Sequence, residues 1–134
     1  LMAMAGYLAF WHQAGLSWAE LRALAPLLLH GQAPAPIVLL QHQASSVVFG
    51  FIVFGQIGVA MACRSSWRNG WRSNGLLWFG VGFELVFLAV LVLVQPVAEV
   101  FAMAPFPLPW LGWMLLAPWV VLLVDDRFKP RVAR

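Results

Sequence analysis

The sequence is poor in charged residues and in cysteine. Only 10% of its 134 residues are charged, whereas an ordinary globular chain has about a quarter. The single cysteine, Cys63, has no second thiol to pair with, which excludes a disulfide-stabilised scaffold. The sequence also lacks a glycine-rich phosphate loop, a zinc-ligand spacing and a Ser/His/Asp arrangement. The soluble enzyme classes that depend on these signatures are therefore disfavoured.

Hydrophobic residues make up most of the chain, 63% of it, and eight residues are tryptophan. The net charge of +3 would suit a nucleic-acid partner at first sight. However, the basic residues lie in the short connections between apolar runs, as membrane topology places them. We therefore expect a membrane protein whose main partner is the lipid bilayer, with no nucleic acid bound.

Four apolar segments follow one another, at residues 1–11, 44–63, 76–94 and 108–124. Because a spanning helix needs about 20 residues, the first segment is about half a span and each of the others can cross. The predicted fold is an all-α polytopic membrane helix bundle, with about three full transmembrane helices and a truncated first one. Since the sequence opens inside an apolar run, we interpret it as a fragment rather than a trimmed mature protein.

The connection at residues 12–43 is mixed in polarity. Ser17 and Glu20 have the spacing of a capping box, which predicts a short helix from about Ser17 to His30 on the membrane surface. Pro26 is expected to kink or split this helix. Three further residues predict a break in the chain before the second span: Gly31, Pro34 and Pro36.

Basic residues predict the orientation of the spans. Arg22 is the only basic residue on one side, and the other seven are Arg64, Arg68, Arg72, Arg127, Lys129, Arg131 and Arg134. These seven lie in the loop at 64–75 or in the tail, two regions that share a side. The positive-inside rule makes that side cytoplasmic. We expect a multi-pass protein of the plasma (inner) membrane with a cytoplasmic C-terminus.

Two polar residues lie inside predicted spans, Gln56 in the second and Glu84 in the third. Gln56 is either a cation ligand through its amide oxygen or the donor of an interhelical hydrogen bond. Glu84 is either an intramembrane proton or ion site, or a protonated carboxyl that is hydrogen-bonded to a neighbour. The residues alone leave both questions open.

Small residues four positions apart predict close packing of the second span against other helices. The two pairs are Ser46 with Gly50, and Gly58 with Ala62. Asp125 and Asp126 are interpreted as the charged end of the last span. Tryptophans near the span ends are expected at the membrane interface: Trp67, Trp71, Trp78, Trp110 and Trp113. The three histidines fit no metal-ligand spacing: His12, His30 and His42.

Five short motifs occur in order along the second half of the chain. They are AMACRSS (60–66), RNGWRSNGLL (68–77), VQPVAEVF (94–101), APFPLPWLGW (104–113) and LLVDDRFKP (122–130). Together they make residues 43–131 resemble the C-terminal membrane region of P-type cation-transporting ATPases, most closely the calcium-pump-like branch. The resemblance implies the last four of ten transmembrane helices. Residues 1–42 match nothing in particular. Residues 1–43 would be the end of the seventh helix and an extracytoplasmic loop with a short helix, and residues 44–134 the C-terminal membrane domain with its cytoplasmic tail.

The resemblance also implies a function for the complete pump. Mg-ATP would phosphorylate an aspartate, and the membrane ion site would alternate its access. This chain lacks the Asp-Lys-Thr-Gly-Thr motif, so no cofactor and no hydrolysis are expected of it alone. Its helices would scaffold the remaining pump helices and border the ion site.

The resemblance assigns one site residue. In calcium pumps of the family the eighth helix contributes a Glu ligand, and Gln56 falls at the corresponding place. Gln keeps an oxygen but loses the charge, which puts calcium in doubt as the transported cation. Glu84 matches no ligand position of the family.

Two other functions compete with the pump. One is a stand-alone membrane protein with a regulatory or scaffold role. The other is a small proton-coupled transporter that uses Glu84. A long upstream reading frame with the phosphorylation motif would favour the pump, and a nearby start codon would favour the others.

Overall fold

The computed structural model describes residues 1–63 and 75–128, and all regular structure there is helical. The helices are α1 (Met2–Gln13), α2 (Trp18–Leu29), α3 (Ala35–Ala62), α4 (Gly75–Leu93), α5 (Gln95–Val100) and α6 (Pro109–Phe128). The all-α prediction is confirmed. Most of the basic loop, at 64–74, and the tail from residue 129 onward lie outside the described residues.

Helix α3 is the centre of the bundle. It packs along α6 on one side and α1 on another, and it contacts α4 less extensively. Phe10 and Trp11 of α1 meet α3 in this core, and the ring of Trp110 tilts over that of Phe10 at 5.6 Å between centroids. The remaining buried residues of the cluster are Leu21, Ala44, Val47, Val53, Phe54, Ile57, Leu88, Val92, Met114 and Ala117.

The second span is longer than its apolar run, because α3 begins at Ala35 and not near Ala44. Pro34 is the N-cap of α3, and Pro36 lies within its first turn. Proline lacks an N–H, but the first turn of a helix has no intrahelical acceptor for that group, so proline there costs no hydrogen bond. The two prolines start the helix. The predicted break is therefore confined to the residues around Gly31, and residues 43 and 44 lie inside one helix.

Two of the six helices are long and apolar enough to cross a membrane, α3 and α4, as counted over the described residues. Helix α6 has 20 residues and contains Pro118. Asp125 and Asp126 lie inside α6, which continues to Phe128 with Arg127 in its last turn. The helix extends two residues past Asp126, and the interpretation of the two aspartates as the charged end of the last span stays a prediction. The count of three full spans stays a prediction.

Helix α5 was not predicted, because residues 95–109 contain four prolines, a composition typical of a connection. Pro96 lies in its first turn, and the helix ends in a pair of backbone hydrogen bonds that define a Schellman motif. The same motif ends α1 and α2 with Gly15 (φ +84°) and Gly31 (φ +66°) at the left-handed position. After α5 that position holds Ala102, at φ 51°. A non-glycine residue there stores a small amount of backbone strain in the turn.

The capping box of α2 is present as predicted. The Ser17 hydroxyl accepts a hydrogen bond from the Glu20 N–H at 3.3 Å. The Glu20 carboxylate in turn accepts bonds from the Ser17 hydroxyl and N–H, each at 2.7 Å. Both bonds lower the pKa of Glu20 from its ordinary value, the side-chain bond more strongly. Pro26 is accommodated inside the helix without ending it.

We expect Ser17→Ala to destabilise the first turn of α2 at neutral pH. Because the folded pKa of Glu20 lies below its unfolded value, the cap stabilises the helix above the unfolded pKa of about 4.3. That contribution is lost as the pH falls through the folded pKa. Hydrogen exchange at the Glu20 and Leu21 amides checks this: the variant should exchange faster near neutral pH, and the difference should become smaller in acid, where only the bond from the Glu20 N–H to the Ser17 hydroxyl remains to be lost. A constant difference at all pH values would contradict the assignment.

Candidate functional site in the membrane helices

The crossing of α3 and α6 is close because two glycines of α3 face α6. A Cβ on Gly58 would lie 2.7 Å from the Cα of Pro118, and one on Gly50 would run into the Met114 side chain. Ser46 and Ala62 are buried on α3 as well. The predicted close packing against another helix is therefore confirmed at Gly50 and Gly58, one residue of each pair.

A second connection holds the segment between α5 and α6 against α3. Ser46 is fully buried, and its hydroxyl accepts a hydrogen bond from the Ala104 N–H at 3.0 Å while it donates one to the His42 carbonyl at 3.1 Å. Nearby, the Gln43 side-chain amide donates to the Pro105 carbonyl at 2.8 Å. Sequence reasoning identified Ser46 only as a small residue. The sequence near Ser46 gives no sign that its hydroxyl accepts a bond from the Ala104 N–H, because the two residues are 58 positions apart.

Gln56 lies on the side of α3 that its neighbours leave open. Its side chain is exposed, as are those of Ile52, Val59 and Ala60, which share its face of the helix. These residues line an open groove of about 540 Å³ together with the N-terminal end of α1 and Val121 of α6. The Gln56 amide forms no hydrogen bond within the described part of the chain.

Glu84 has a different environment. It is half-buried on α4, on the same face as Val81, Leu88 and Leu91, which are half-buried or buried. The opposite face of α4 is uncovered and carries Phe83 and Phe87, whose rings stack at 6.2 Å between centroids. The Glu84 carboxyl has no hydrogen bond with any described residue, and the structure does not join it to Gln56.

The other polar and aromatic candidates contribute little to a site. Across the described ranges, no three His, Cys, Asp or Glu side chains gather where a metal ion could bind. Trp78 and Trp113 are about half exposed, whereas Trp110 is 6% exposed and packs in the core of the bundle. The interfacial position of these tryptophans stays a prediction. Trp67 and Trp71 lie outside the described residues.

Comparison with known proteins identifies the family. The family model described as "Cation transporting ATPase, C-terminus" matches residues 1–130. The match includes residues 1–42, for which no resemblance had been found. No curated protein and no solved structure matches the chain. In this family the partners of these helices are lipid and the other helices of the pump. The chain belongs to the cation-transporting ATPase C-terminal family and is a membrane part of such a P-type ATPase.

Proposed function

We propose that this chain forms the last four transmembrane helices of a calcium-pump-like P-type ATPase, and that Gln56 borders the cation site. The observation that carries the proposal is the position of Gln56 on the uncovered face of α3. Helices α1, α4 and α6 pack against the other sides of α3. The remaining pump helices would cover the open side.

A glutamine on an apolar membrane face needs a partner. An amide in hydrocarbon without a hydrogen bond costs several kcal/mol, so the exposed Gln56 favours burial against another polar surface. Its carbonyl oxygen is a ligand type that hard cations accept. A cation held between Gln56 and oxygen ligands of the missing helices would coordinate the amide oxygen of Gln56. It would give this oxygen the partner that it lacks among the described residues.

The other helices would act as a scaffold for this face. Gly50 and Gly58 keep α6 close behind α3, and Ser46 ties down the turn that precedes α6. Mg-ATP would be bound and hydrolysed by other parts of the pump, because this sequence has no phosphate-binding or phosphorylation motif. The conformational change driven by ATP hydrolysis would reach the ion site through the helices that pack on α3.

The proposed topology has α1, α3, α4 and α6 in the membrane. The basic loop and the tail would then be cytoplasmic in a plasma-membrane protein, because seven of the eight basic residues fall there. The turn between α5 and α6 and helix α2 would lie on the opposite side.

In the complete pump, Gln56→Ala is expected to raise the cation concentration needed for half-maximal ATPase activity by about tenfold. This corresponds to the loss of one contact of ~1.4 kcal/mol, about the strength of a hydrogen bond. Gln56→Glu should keep an oxygen ligand and bind a divalent cation at least as tightly as the unaltered pump does. The measurement is ATPase rate against cation concentration. Val59→Ala is the matched control, because Val59 lies in the same groove and has no oxygen to offer. An unchanged cation dependence in Gln56→Ala would return this residue to a packing role.

A proton-coupled function of Glu84 is the second candidate. It is favoured by one observation, a half-buried carboxyl without a hydrogen-bond partner among the described residues, within a helix that can span the membrane. Glu84→Gln should then abolish the pH dependence of transport while leaving the Gln56 phenotype unchanged. Transport with an unaltered pH profile would exclude this role.

A further inference from the structure

Helix α2 presents an uncovered apolar face with a single cation on it. Of its twelve residues only Leu21 is buried. Trp18, Arg22, Ala25 and Leu29 follow one another along one side, at the i, i+4, i+7 and i+11 positions of a helix. All four are exposed, with Trp18 at 59% and Leu29 at 84%.

The charges on α2 leave Arg22 available for a ligand. The carboxylate of Glu20 is occupied by the Ser17 hydroxyl and N–H. The Arg22 guanidinium lies 6.0 Å from the centre of the Trp18 ring and forms no ion pair with any described residue. An indole with an arginine over it is suited to the headgroup layer of a bilayer, where the ring lies at the acyl boundary and the cation meets phosphate.

The apolar face is continuous with the membrane part of the chain. Trp18 lines the same cavity of about 390 Å³ as Leu8 and Ala9 of α1. Leu8 is 41% exposed, so the outer surface of α1 passes directly into the Trp18 end of α2. The polar residues His12 and Ser17 line the same cavity beside these apolar side chains, as expected where a spanning helix meets the headgroup layer.

We propose that α2 lies in the headgroup layer at the carboxyl end of α1, with Trp18, Ala25 and Leu29 facing the acyl chains and Arg22 bound to a lipid phosphate. The helix anchors that end of α1 to one membrane surface. This anchoring does not depend on the ion-site role of Gln56, so each can fail without the other.

Site-directed spin labelling of the membrane-inserted full chain tests the proposal. Cys63 is the only cysteine, so Cys63→Ser gives a clean background. Ala25→Cys places a label on the proposed lipid face, and Ala23→Cys places one on the other exposed side of the same helix. The vesicles contain phosphatidylcholine with a minority of phosphatidylglycerol.

The proposal expects collisions with oxygen to exceed those with a water-soluble nickel chelate severalfold at Ala25→Cys, and the reverse at Ala23→Cys. With Arg22 present, the depth of the Ala25→Cys label should depend on the phosphatidylglycerol content of the vesicles. Adding Arg22→Gln should bring the label closer to water and remove this dependence. Equal nickel access at both sites would place α2 in water and overturn the proposal. Protection of Ala25→Cys from both reagents would show a protein covering the face, which overturns it as well.

Discussion

Gly58→Ala is expected to lower the free energy of unfolding of the helix bundle by about 1–3 kcal/mol. The added Cβ would lie 2.7 Å from the Cα of Pro118, 3.0 Å from the Cβ of Val121 and 3.1 Å from the Pro118 carbonyl oxygen. Two of these atoms belong to the backbone of α6 and cannot rotate away, so α6 has to shift as a whole. Denaturation of the purified protein in detergent, followed by circular dichroism, measures the effect.

The glycines of α3 provide their own controls. Gly55→Ala adds the same methyl group one turn earlier, where nothing lies within 4 Å. Both variants gain the helix propensity of alanine, about 1 kcal/mol in a helix interior, but only Gly58→Ala clashes with a backbone. Gly50→Ala should fall between them, because the Met114 side chain it meets is flexible. Equal stability of the Gly55 and Gly58 variants would show that α3 and α6 are not held this close.

Ser46→Ala is expected to release the segment between α5 and α6 from α3. The Ala104 N–H would lose its acceptor in a place where Ala104 is only 6% exposed. A buried donor left without a partner costs about 1–3 kcal/mol. Hydrogen exchange at the Ala104 amide should accelerate by the corresponding factor, and the bundle should unfold more easily. The bond from Gln43 to Pro105 would keep part of the segment in place.

The neighbouring serine is the matched control for this experiment. Ser45 donates only to the Gln41 carbonyl in its own helix, at 3.0 Å, and it is not fully buried. Ser45→Ala removes one hydroxyl from the same turn without orphaning any N–H, so its effect should stay below about 0.5 kcal/mol. Similar losses in both variants would mean that the Ser46 hydroxyl has no special partner.

The helices that were predicted well are those whose signals are local. The apolar run at 76–94 corresponds closely to α4, because an apolar run of this length, interrupted only by Glu84, is typical of a membrane-spanning helix. The ends of α2 follow from the capping box at Ser17 and from Gly31, which takes the left-handed conformation that closes the helix. These interactions connect residues only a few positions apart.

The candidate site was predictable in chemistry but not in placement. A polar residue in an apolar run is conspicuous, so the sequence identifies both Gln56 and Glu84. Which face of its helix each residue occupies depends on where neighbouring helices pack, and apolar runs without a polar side carry no such information. The structure leaves Gln56 on the open face of α3 and puts Glu84 on the covered face of α4.

The sequence by itself determined that this protein is an all-helical membrane chain with two polar residues in its apolar runs, because length, composition and short-range caps specify helices locally. The tertiary structure decided the rest. Ser46 accepts a bond from Ala104, and Gly58 meets Pro118. Both contacts join residues that are far apart in the sequence, so their free energy exists only once the helices have packed.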